Sequence, residues 1–293
     1  MTFRERLASG PPLILDGGMG SALLARGLTR GMPPEAWNLE RGDLVTDIHR
    51  AFVDAGSEAV QTNTFGGSPI RLGAYGLAEQ CEEINATAVA LARAAGPRFV
   101  VGDIGPTGEY LPPVGKGDGE SWRTSFMRQA AALVRAGVDA IHVETMSDLR
   151  EARIALASIR SVAPGVPIMV SMTFEGKRRG FFTIMGNPLV ASLEALAAAG
   201  ADAVGANCSI TSGDMRALAD EALSGSRMPL VIQPNAGQPI TGGDGSIRYG
   251  QDPDAFAADM AAIASRGVRV IGGCCGTDAR FIAALARRVE VTV

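Results

Sequence analysis

Three of the four cysteines in the chain stand where they could hold a metal ion or carry out thiol chemistry. Cys274 and Cys275 are adjacent in a GGCCGT segment, Cys208 lies in GANCS, and Cys81 stands apart. A disulfide between neighbouring residues would strain the backbone, and four unevenly placed cysteines are too few for a disulfide scaffold. We expect a cytoplasmic protein, in which such thiols stay free. The lone Cys81 is interpreted as a small buried hydrophobic residue.

Polar side chains recur at the ends of short β-branched segments. The set comprises Asp16, Thr62, Asn63, Asp103, Glu144, Thr145, Thr173, Asn207 and Asn235. Loops that only connect strands and helices do not require carboxylates, amides and hydroxyls at each strand end. If the segments are strands of one parallel barrel, their carboxyl ends meet on one rim, and these side chains surround a single site.

The elements that must position these residues follow a repeated pattern. Short β-branched segments alternate with Ala/Leu/Arg-rich segments of helical spacing, which indicates βα units around a parallel sheet. The predicted strands are Leu13–Asp16, Ala59–Thr62, Phe99–Asp103, Ala140–Glu144, Ile168–Met172, Ala203–Asn207, Leu230–Gln233 and Val270–Gly273. Eight strands close a barrel, and 293 residues exceed the roughly 250 that a barrel typically needs.

We therefore predict an α/β fold, a single (β/α)8 TIM barrel over residues 1–293. Gly56, Gly137, Gly200 and Gly267 follow predicted helices in Ala-Gly or Arg-Gly steps, where glycine accepts a positive φ. A doubly wound sheet would use the same turns, so the barrel is preferred on strand count. No Pro/Ser-rich linker divides the chain.

A barrel places the turn after the sixth strand close to the turn after the eighth, and so brings Cys208 near Cys274 and Cys275. Three thiolates about 2.3 Å from one ion fit tetrahedral zinc with its fourth position open, as in catalytic sites. A thiol with a pKa near 8.5 is mostly protonated at neutral pH, and coordination to a cation generates the nucleophilic thiolate. These residues therefore predict a catalytic Zn²⁺ site with an open coordination position.

The two histidines limit the competing mechanisms. His49 lies on the amphipathic segment DLVTDIHRAFVDAG, where we expect it at the surface, and His142 lies within the fourth predicted strand. A Cys-His-Asn hydrolase would have to use His142. The chain has no GxxxxGK[ST], no GxSxG and no GxGxxG after a strand, so nucleotide-binding and serine-hydrolase functions lack their motifs.

Composition and charge exclude further classes of function. Hydrophobic residues form 46% of the chain and aromatic residues 5%, a balance typical of a soluble globular enzyme. The net charge is -4, and no basic cluster is present to neutralise a row of phosphates, so nucleic acid is not an expected partner. No segment reaches the roughly 18 apolar residues of a membrane span, so no membrane partner is expected.

Seven segments give the chain a resemblance to a known family. They are LDGGMGSALLARG, QTNTFGG, GDIGPTGEY, VETMSDLREA, GANCS, QPNAGQP and GGCCGT, in the family's order over nearly the whole chain. The sequence resembles the homocysteine S-methyltransferase family, which includes betaine-homocysteine methyltransferase and the homocysteine-binding module of cobalamin-dependent methionine synthase. The GGCCGT segment with an upstream NC is highly specific for it.

The resemblance implies roles for particular residues. It implies that Cys208, Cys274 and Cys275 are zinc ligands, and that Asp16 and Glu144 hold the amino group of homocysteine. It places further residues in motifs that line the same pocket, namely Thr62, Asn63 and Asn235. Besides the activated substrate thiol, no separate catalytic group is expected. Independently of the family, backbone amides of the Gly-Gly turns Gly17–Gly18 and Gly272–Gly273 are expected to receive the substrate carboxylate.

The activity implied is transfer of a methyl group from a small sulfonium or ammonium donor to the thiol of L-homocysteine, forming methionine. An alternative is the thiol-activating component of a corrinoid-dependent system, with a separate corrinoid protein as partner. Ile184-Met185 precede Gly186 where the family usually has a small hydroxyl residue, so a different thiol acceptor is a further alternative. A non-enzymatic zinc-binding or redox-sensing barrel is the third class.

Overall fold

Eight parallel strands surround a central axis in the computed structural model, which describes residues 1–242 and 247–290. In chain order the barrel strands are Leu13–Ile14, Ala59–Gln61, Phe99–Ile104, Ala140–Met146, Ile168–Met172, Ala203–Thr211, Leu230–Asn235 and Val270–Ile271. We number them first to eighth. Each pairs in parallel with its neighbour in chain order from the second to the eighth strand, and the eighth pairs with the first. The predicted α/β fold, a (β/α)8 TIM barrel, is confirmed.

Helices cover the outside of the barrel. The α-helices are Phe3–Ala8, Met19–Ala25, Trp37–Glu40, Gly42–Asp54, Pro69–Gly73, Cys81–Ala94, Gly119–Arg135, Leu149–Val162, Leu189–Ala198, Ser212–Gly225, Pro253–Ala264 and Ala279–Glu290. Side chains of Asp118, Asp148, Thr211 and Asp252 accept hydrogen bonds from backbone amides in the first turns of their helices. The four predicted helix-ending glycines all have positive φ, between 91° and 109°. Within the described residues, no helix has the length and apolar character needed to cross a membrane.

The first and second strands close the barrel with fewer backbone hydrogen bonds than join the other neighbouring strands. The amide of Glu58 donates to the carbonyl of Ile14 at 2.9 Å. Further along, the amide of Gln61 donates to the Asp16 carboxylate at 2.9 Å, in place of a backbone carbonyl. A buried acidic side chain therefore takes part in closing the sheet, at the end of the first strand.

The barrel interior is apolar at one end and polar at the other. The short helix Phe3–Ala8 closes the amino-terminal end, where Phe3 and Leu7 pack among inward-facing residues such as Val101 and Val231. The rings of Phe3 and Phe99 meet edge to face with centroids 5.3 Å apart. Nearer the carboxyl ends of the strands the interior becomes polar, beginning with the 2.7 Å hydrogen bond between His142 and Ser171. The amino-terminal end of the barrel is therefore closed by apolar packing, and a polar site lies at the carboxyl ends of the strands.

The prediction that His49 lies at the surface is wrong. The helix Gly42–Asp54 forms as expected, but it buries Val45, Ile48, His49 and Phe52 on one face. These positions are spaced by three and four residues, so His49 falls within the apolar stripe. Both of its ring nitrogens are buried without a hydrogen-bond partner among the described residues.

Two hairpins extend beyond the barrel at the carboxyl ends of its strands. One pairs Glu175–Lys177 with Gly180–Phe182 after the fifth strand. The other pairs Pro239–Thr241 with Ile247–Tyr249 after the seventh strand. The sequence predicted neither of them, because short strands that pack on no sheet carry no clear hydrophobic period.

Candidate metal centre and acceptor cavity

Three thiols come together at the carboxyl ends of the sixth and eighth strands. The sulfur atoms of Cys208, Cys274 and Cys275 all lie within 4.8 Å of one another, and those of Cys208 and Cys275 are 3.9 Å apart. A tetrahedral zinc site with Zn–S distances of about 2.3 Å separates its sulfurs by about 3.8 Å. The three thiols are therefore close enough together to share one zinc ion, which would leave one coordination position free.

The thiol of Cys208 is positioned by a stretch of backbone with an irregular conformation. Cys208 and Ser209 have φ values of 59° and 60°, in the left-handed region that residues with a side chain rarely adopt. The pairing of the sixth strand with the seventh shifts its register between Asn207 and Thr211. Such a bulge redirects a side chain at a strand end, and local strain of this kind is concentrated at functional sites.

The second pair of thiols is fixed by close packing of two turns. The amide of Cys274 donates to the carbonyl of Pro234, and the amide of Thr277 donates to the carbonyl of Cys274. A Cβ atom on Gly18 would lie 2.6 Å from the carbonyl oxygen of Cys274. Glycine is needed here because the turn after the first strand lies directly against the cysteine turn.

Hydrogen bonds within the cluster distribute its charge unequally. Bonds from Cys274 and Cys275 lower the pKa of the Cys208 thiol well below its usual value. The same contacts raise the pKa of the Cys274 thiol, and the bond with Cys208 raises that of Cys275. Hydrogen bonds from the two neighbouring thiols thus favour the thiolate form of Cys208.

Three buried carboxylates face the same cavity as the thiols. Burial raises the pKa of Asp16, Asp103 and Glu144, and the negative charge of Glu144 raises those of the other two further. One oxygen of Asp16 and one of Asp103 are buried without a hydrogen-bond partner among the described residues. A ligand that brings a positive charge and several N–H donors would satisfy both deficits at once.

A network of amide side chains orients Glu144. Gln61 donates to one of its oxygens at 3.1 Å, and Asn207 donates to the other. Gln233 in turn donates to the side-chain oxygen of Gln61 at 2.8 Å. Thr145, whose φ is 58°, donates its amide to Asn207 at 2.8 Å. Residues from the second, fourth, sixth and seventh strands thus hold one carboxylate in place.

Thiols and carboxylates line one cavity of about 280 Å³. Its wall includes all three cysteines and all three carboxylates, together with Gly17, Gly18, Thr62 and Asn63. We call it the acceptor cavity. Most of the site residues expected from the sequence therefore line one cavity.

Three of the expected pocket residues have polar groups that are already engaged. The hydroxyl of Thr62 is 2.6 Å from that of Thr64 and accepts from the amide of Asp103. The side-chain nitrogen of Asn63 donates to the carbonyl of Pro34. Asn235 is buried and hydrogen-bonded to Cys208, where it helps to lower the pKa of that thiol. The engaged groups act on the site through other protein groups, whereas the side-chain oxygen of Asn235 is buried without a hydrogen-bond partner among the described residues.

The expectation that the Gly-Gly turns offer free amides is wrong for three of their four amides. The amide of Gly18 donates to the carbonyl of Thr277 at 2.9 Å. Those of Gly272 and Gly273 donate to the carbonyls of Ile232 and Asp16. The eighth strand lies between the first and the seventh, so these amides bond to neighbouring strands and turns and are unavailable to a substrate.

The structure supports neither a Cys-His hydrolase nor an influence of the Ile184–Gly186 loop on the wall of the acceptor cavity. His142 bonds through one ring nitrogen to Ser171, and its second nitrogen is buried without a partner in the described residues, so it does not pair with a cysteine as such a hydrolase requires. Ile184, Met185 and Gly186 do not line the acceptor cavity, and Ile184 is largely exposed. The unusual sequence of that loop therefore does not alter the cavity wall.

Some residues of the site were not anticipated. Glu35 and Arg71 line the acceptor cavity, and Glu35 accepts a hydrogen bond from the amide of Gly66. Tyr249, on the second hairpin, forms a hydrogen bond with Cys275. Gln61 and Gln233 had a visible signal, because each is a polar residue inside an apolar strand. Glu35, Arg71 and Tyr249 lie outside the barrel strands, and no sequence signal assigns them to the site.

The chain matches the family model described as homocysteine S-methyltransferase over residues 13–289. Methionine synthase of Mycobacterium tuberculosis (strain ATCC 25618 / H37Rv) is 32% identical over 296 residues, covering 94% of this chain and 24% of that protein. Methionine synthase of Mycobacterium leprae (strain TN) is also 32% identical, covering 100% of this chain and 25% of that protein. The chain thus spans about a quarter of the length of these curated relatives.

Solved structures show the same likeness along the whole chain. The metallated form of the homocysteine methyltransferase MmuM from Escherichia coli superposes with a TM-score of 0.81 and 27% identity. That match covers 97% of this chain and 99% of the other. The apo form of the same protein gives a TM-score of 0.75 and 26% identity.

Proposed function

The chain belongs to the homocysteine S-methyltransferase family, and we propose that it transfers a methyl group to the thiol of L-homocysteine, forming methionine. We infer that Cys208, Cys274 and Cys275 hold a Zn²⁺ ion for this reaction. One observation carries the proposal, namely that three thiols and three buried carboxylates line one cavity. Homocysteine has a thiol at one end and an ammonium group at the other, which matches these two sets of groups.

The carboxylates bind and orient the acceptor. Asp16 and Asp103 each have a buried oxygen without a partner in the described residues, and Glu144 is fixed by Gln61 and Asn207. The ammonium group of homocysteine donates to these oxygens, and its charge offsets the mutual repulsion of the carboxylates. Because the ammonium end is held, the thiol is directed toward the three cysteines with little rotational freedom.

The metal would supply Lewis acidity, which lowers the pKa of the acceptor thiol so that it reacts as a thiolate. The thiol proton leaves to solvent. A lone pair of the acceptor sulfur then forms the new S–C bond while the bond between the methyl group and the donor breaks. The electron pair of that bond stays with the donor, so the transfer needs no oxidant or reductant.

A second candidate function is the thiol-activating component of a corrinoid-dependent system. It is supported by exposed apolar side chains on the loops that follow five barrel strands, namely Met32, Tyr75, Val114, Ile184 and Ile240. These loops lie at the carboxyl ends of the strands, on the face that holds the site. Exposed apolar residues around an active-site entrance fit a docking protein that brings the methyl group. The first candidate needs only a small sulfonium or ammonium donor.

Metal content and sulfur coordination test the proposal directly. We expect about one zinc per purified chain, and an X-ray absorption spectrum that gains a sulfur neighbour when L-homocysteine is added. Cys208→Ala should lose both the zinc and the change in spectrum. Cys81→Ala is the matched control, because Cys81 is a buried cysteine outside the cluster, and its thiol donates to the carbonyl of Gly67. Protein that contains no zinc although all three cysteines are reduced would refute the proposal.

Turnover assays separate the two candidates. Methionine formed from S-methyl-L-methionine and homocysteine by the purified protein alone would establish the small-donor reaction. Methionine formed only when a methylated corrinoid protein is added would establish the second candidate. Zinc whose coordination does not respond to homocysteine would point to another thiol acceptor.

A further inference from the structure

A second and larger cavity, of about 1040 Å³, adjoins the acceptor cavity. The two cavities share Gly20, Ser21, Pro34 and Cys275 in their walls. One of the three clustered cysteines therefore contributes to both walls. The acceptor site makes no use of the second cavity, although its volume is that of a typical ligand pocket, roughly 300–1000 Å³.

The second cavity has an apolar floor and a cationic rim. Buried Leu28, Ile48 and Phe52 contribute to its wall. Its charged lining residues among the described parts of the chain are four arginines and one carboxylate, namely Arg26, Arg30, Arg248, Arg280 and Asp278. The chain as a whole carries a net charge of -4, so this concentration of positive charge is local.

Protein carboxylates neutralise only part of this charge. Arg280 pairs with Asp278 at 2.8 Å. Arg26 and Arg248 are exposed and form no ion pair with any residue in the described ranges, and Arg26 bonds only to the carbonyl of Ala22 within its own helix. Guanidinium groups in this condition favour carboxylate and phosphate ligands, which they can bind through two parallel hydrogen bonds.

We propose that the second cavity binds the methyl donor, and that its arginines hold an anionic group of that donor, either a carboxylate or a phosphate. The proposal rests on the proposed function. The acceptor cavity is lined by four carboxylates and one arginine and suits an ammonium group, whereas the second cavity is lined by four arginines and one carboxylate and suits the opposite charge. Since Cys275 lies in both walls, a donor bound there presents its methyl group next to the sulfur of the acceptor.

Two kinds of methyl donor carry such an anionic group. A small sulfonium or ammonium donor with a carboxylate would place its cationic methyl-bearing centre at the thiols and its carboxylate among the arginines. A phosphate-bearing corrinoid donor would place its phosphate there instead. In both cases the bond between the donor and the methyl group breaks and the anionic group is unchanged, so the arginines act in binding alone.

Anion binding is measured first, on the zinc-loaded protein saturated with L-homocysteine, by calorimetric titration with inorganic tripolyphosphate. We expect the double variant Arg26→Gln/Arg248→Gln to weaken the Kd by about tenfold or more, from the loss of two charge-assisted contacts. Arg123→Gln is the matched control, since Arg123 is an exposed helical arginine that lines neither cavity. Equal affinity of the wild type and the double variant would overturn the proposal.

Displacement then identifies the source of the anion and requires no turnover. S-methyl-L-methionine and methylcobalamin are each titrated against bound tripolyphosphate, and we expect one of them to displace it. Displacement by the first identifies a carboxylate donor, and displacement by the second a phosphate-bearing one. If neither displaces it, tripolyphosphate is an adventitious ion only, and the proposal is overturned.

Steady-state kinetics provide a third measurement with the donor identified in this way. The double variant should raise the KM for the donor by about tenfold while the KM for homocysteine stays within about twofold. A donor KM equal to that of the wild type would overturn the proposal even though methyl transfer proceeds. Failure of the proposed function is seen separately, as zinc whose coordination does not change with homocysteine.

Discussion

At the scale of single residues, the site combines charges that oppose folding. Asp16, Asp103 and Glu144 are buried side by side, and burial raises the pKa of each. A carboxyl group whose pKa is raised by folding stabilises the fold below its unfolded pKa and loses this contribution as pH rises through the folded value. At neutral pH the fold is therefore destabilised by the groups that we propose bind the substrate.

Asp103→Asn tests this trade-off. The variant keeps the size of the side chain and removes a carboxyl group whose pKa is raised by folding, so its free energy of unfolding should exceed that of the wild type by about 1 kcal/mol or more at pH 7. The advantage should shrink toward pH 4, where Asp103 of the wild type is protonated. The KM for homocysteine should rise by about tenfold, because one acceptor for the ammonium group is weakened.

Urea unfolding at pH 4 and pH 7, together with steady-state kinetics, measures both effects for Asp103→Asn. Asp43→Asn is the control, because Asp43 is exposed on the helix Gly42–Asp54. A variant that is no more stable than the wild type at pH 7, or that binds homocysteine equally well, would contradict this account of Asp103.

The sequence identified residues that the structure brings together where the residue type itself is distinctive, and it missed features that depend on neighbours in space. Adjacent cysteines between glycines, and acidic residues at strand ends, are recognisable without coordinates. The engagement of the Gly18 amide by Thr277 depends on which turns pack together, and 259 positions separate the two residues. Local pattern does not contain that information.

At the scale of elements, hydrophobic period predicted the barrel strands well, while their ends depended on irregular backbone. All eight predicted strands are present. The first and eighth end early, at Ile14 and Ile271, and the sixth continues to Thr211 through its register shift. Bulges and left-handed residues such as Cys208 are set by the packing around the site, and the side-chain period does not reveal them.

The helix Gly42–Asp54 provides a prediction about pH. Burial lowers the pKa of His49 to about 4, so its neutral form stabilises the fold, and this contribution is lost as pH falls below the unfolded value of about 6.5. His49→Leu removes a buried side chain that has no hydrogen-bond partner in the described structure. The variant should gain about 2 kcal/mol over the wild type between pH 7 and pH 5.

Denaturant unfolding of the wild type and His49→Leu at several pH values measures this difference. Comparing the two proteins cancels the titration of the site carboxylates, which act in the opposite direction. A stability difference that does not change between pH 7 and pH 5 would show that His49 is not buried in its neutral form.

The helix Phe3–Ala8 provides a second prediction at this scale. Phe3→Ala should cost about 3–4 kcal/mol, because the ring fills the closed end of the barrel against Phe99. The KM for homocysteine should not change, since the site lies at the opposite end of the strands. Arg4→Ala, on the exposed side of the same helix, is the matched control. Loss of homocysteine binding in Phe3→Ala would show that the two ends are coupled.

At the scale of the whole molecule, the three proposed metal ligands come from parts of the chain that are distant in sequence. Cys208 lies in the sixth strand, just beyond the part that pairs with the fifth strand. Cys274 and Cys275 follow the eighth strand, and the seventh strand lies between the sixth and the eighth in the sheet. A metal bound by all three joins the last third of the barrel across its open end. Because the unfolded chain does not hold the three thiols together, binding of the ion adds to the stability of the fold.

Zinc removal tests this link between metal and fold. At a free zinc concentration about 1000 times the Kd, the folded state gains about 4 kcal/mol, which corresponds to a rise in Tm of roughly 8–16 °C for a chain of this size. We expect chelated protein to melt lower by this amount and to recover when Zn²⁺ is restored, as followed by circular dichroism. Cys274→Ala should melt at one temperature with or without zinc, whereas Cys81→Ala should keep the full shift. A wild-type Tm that does not respond to zinc would mean that the three thiols do not share an ion in the folded protein.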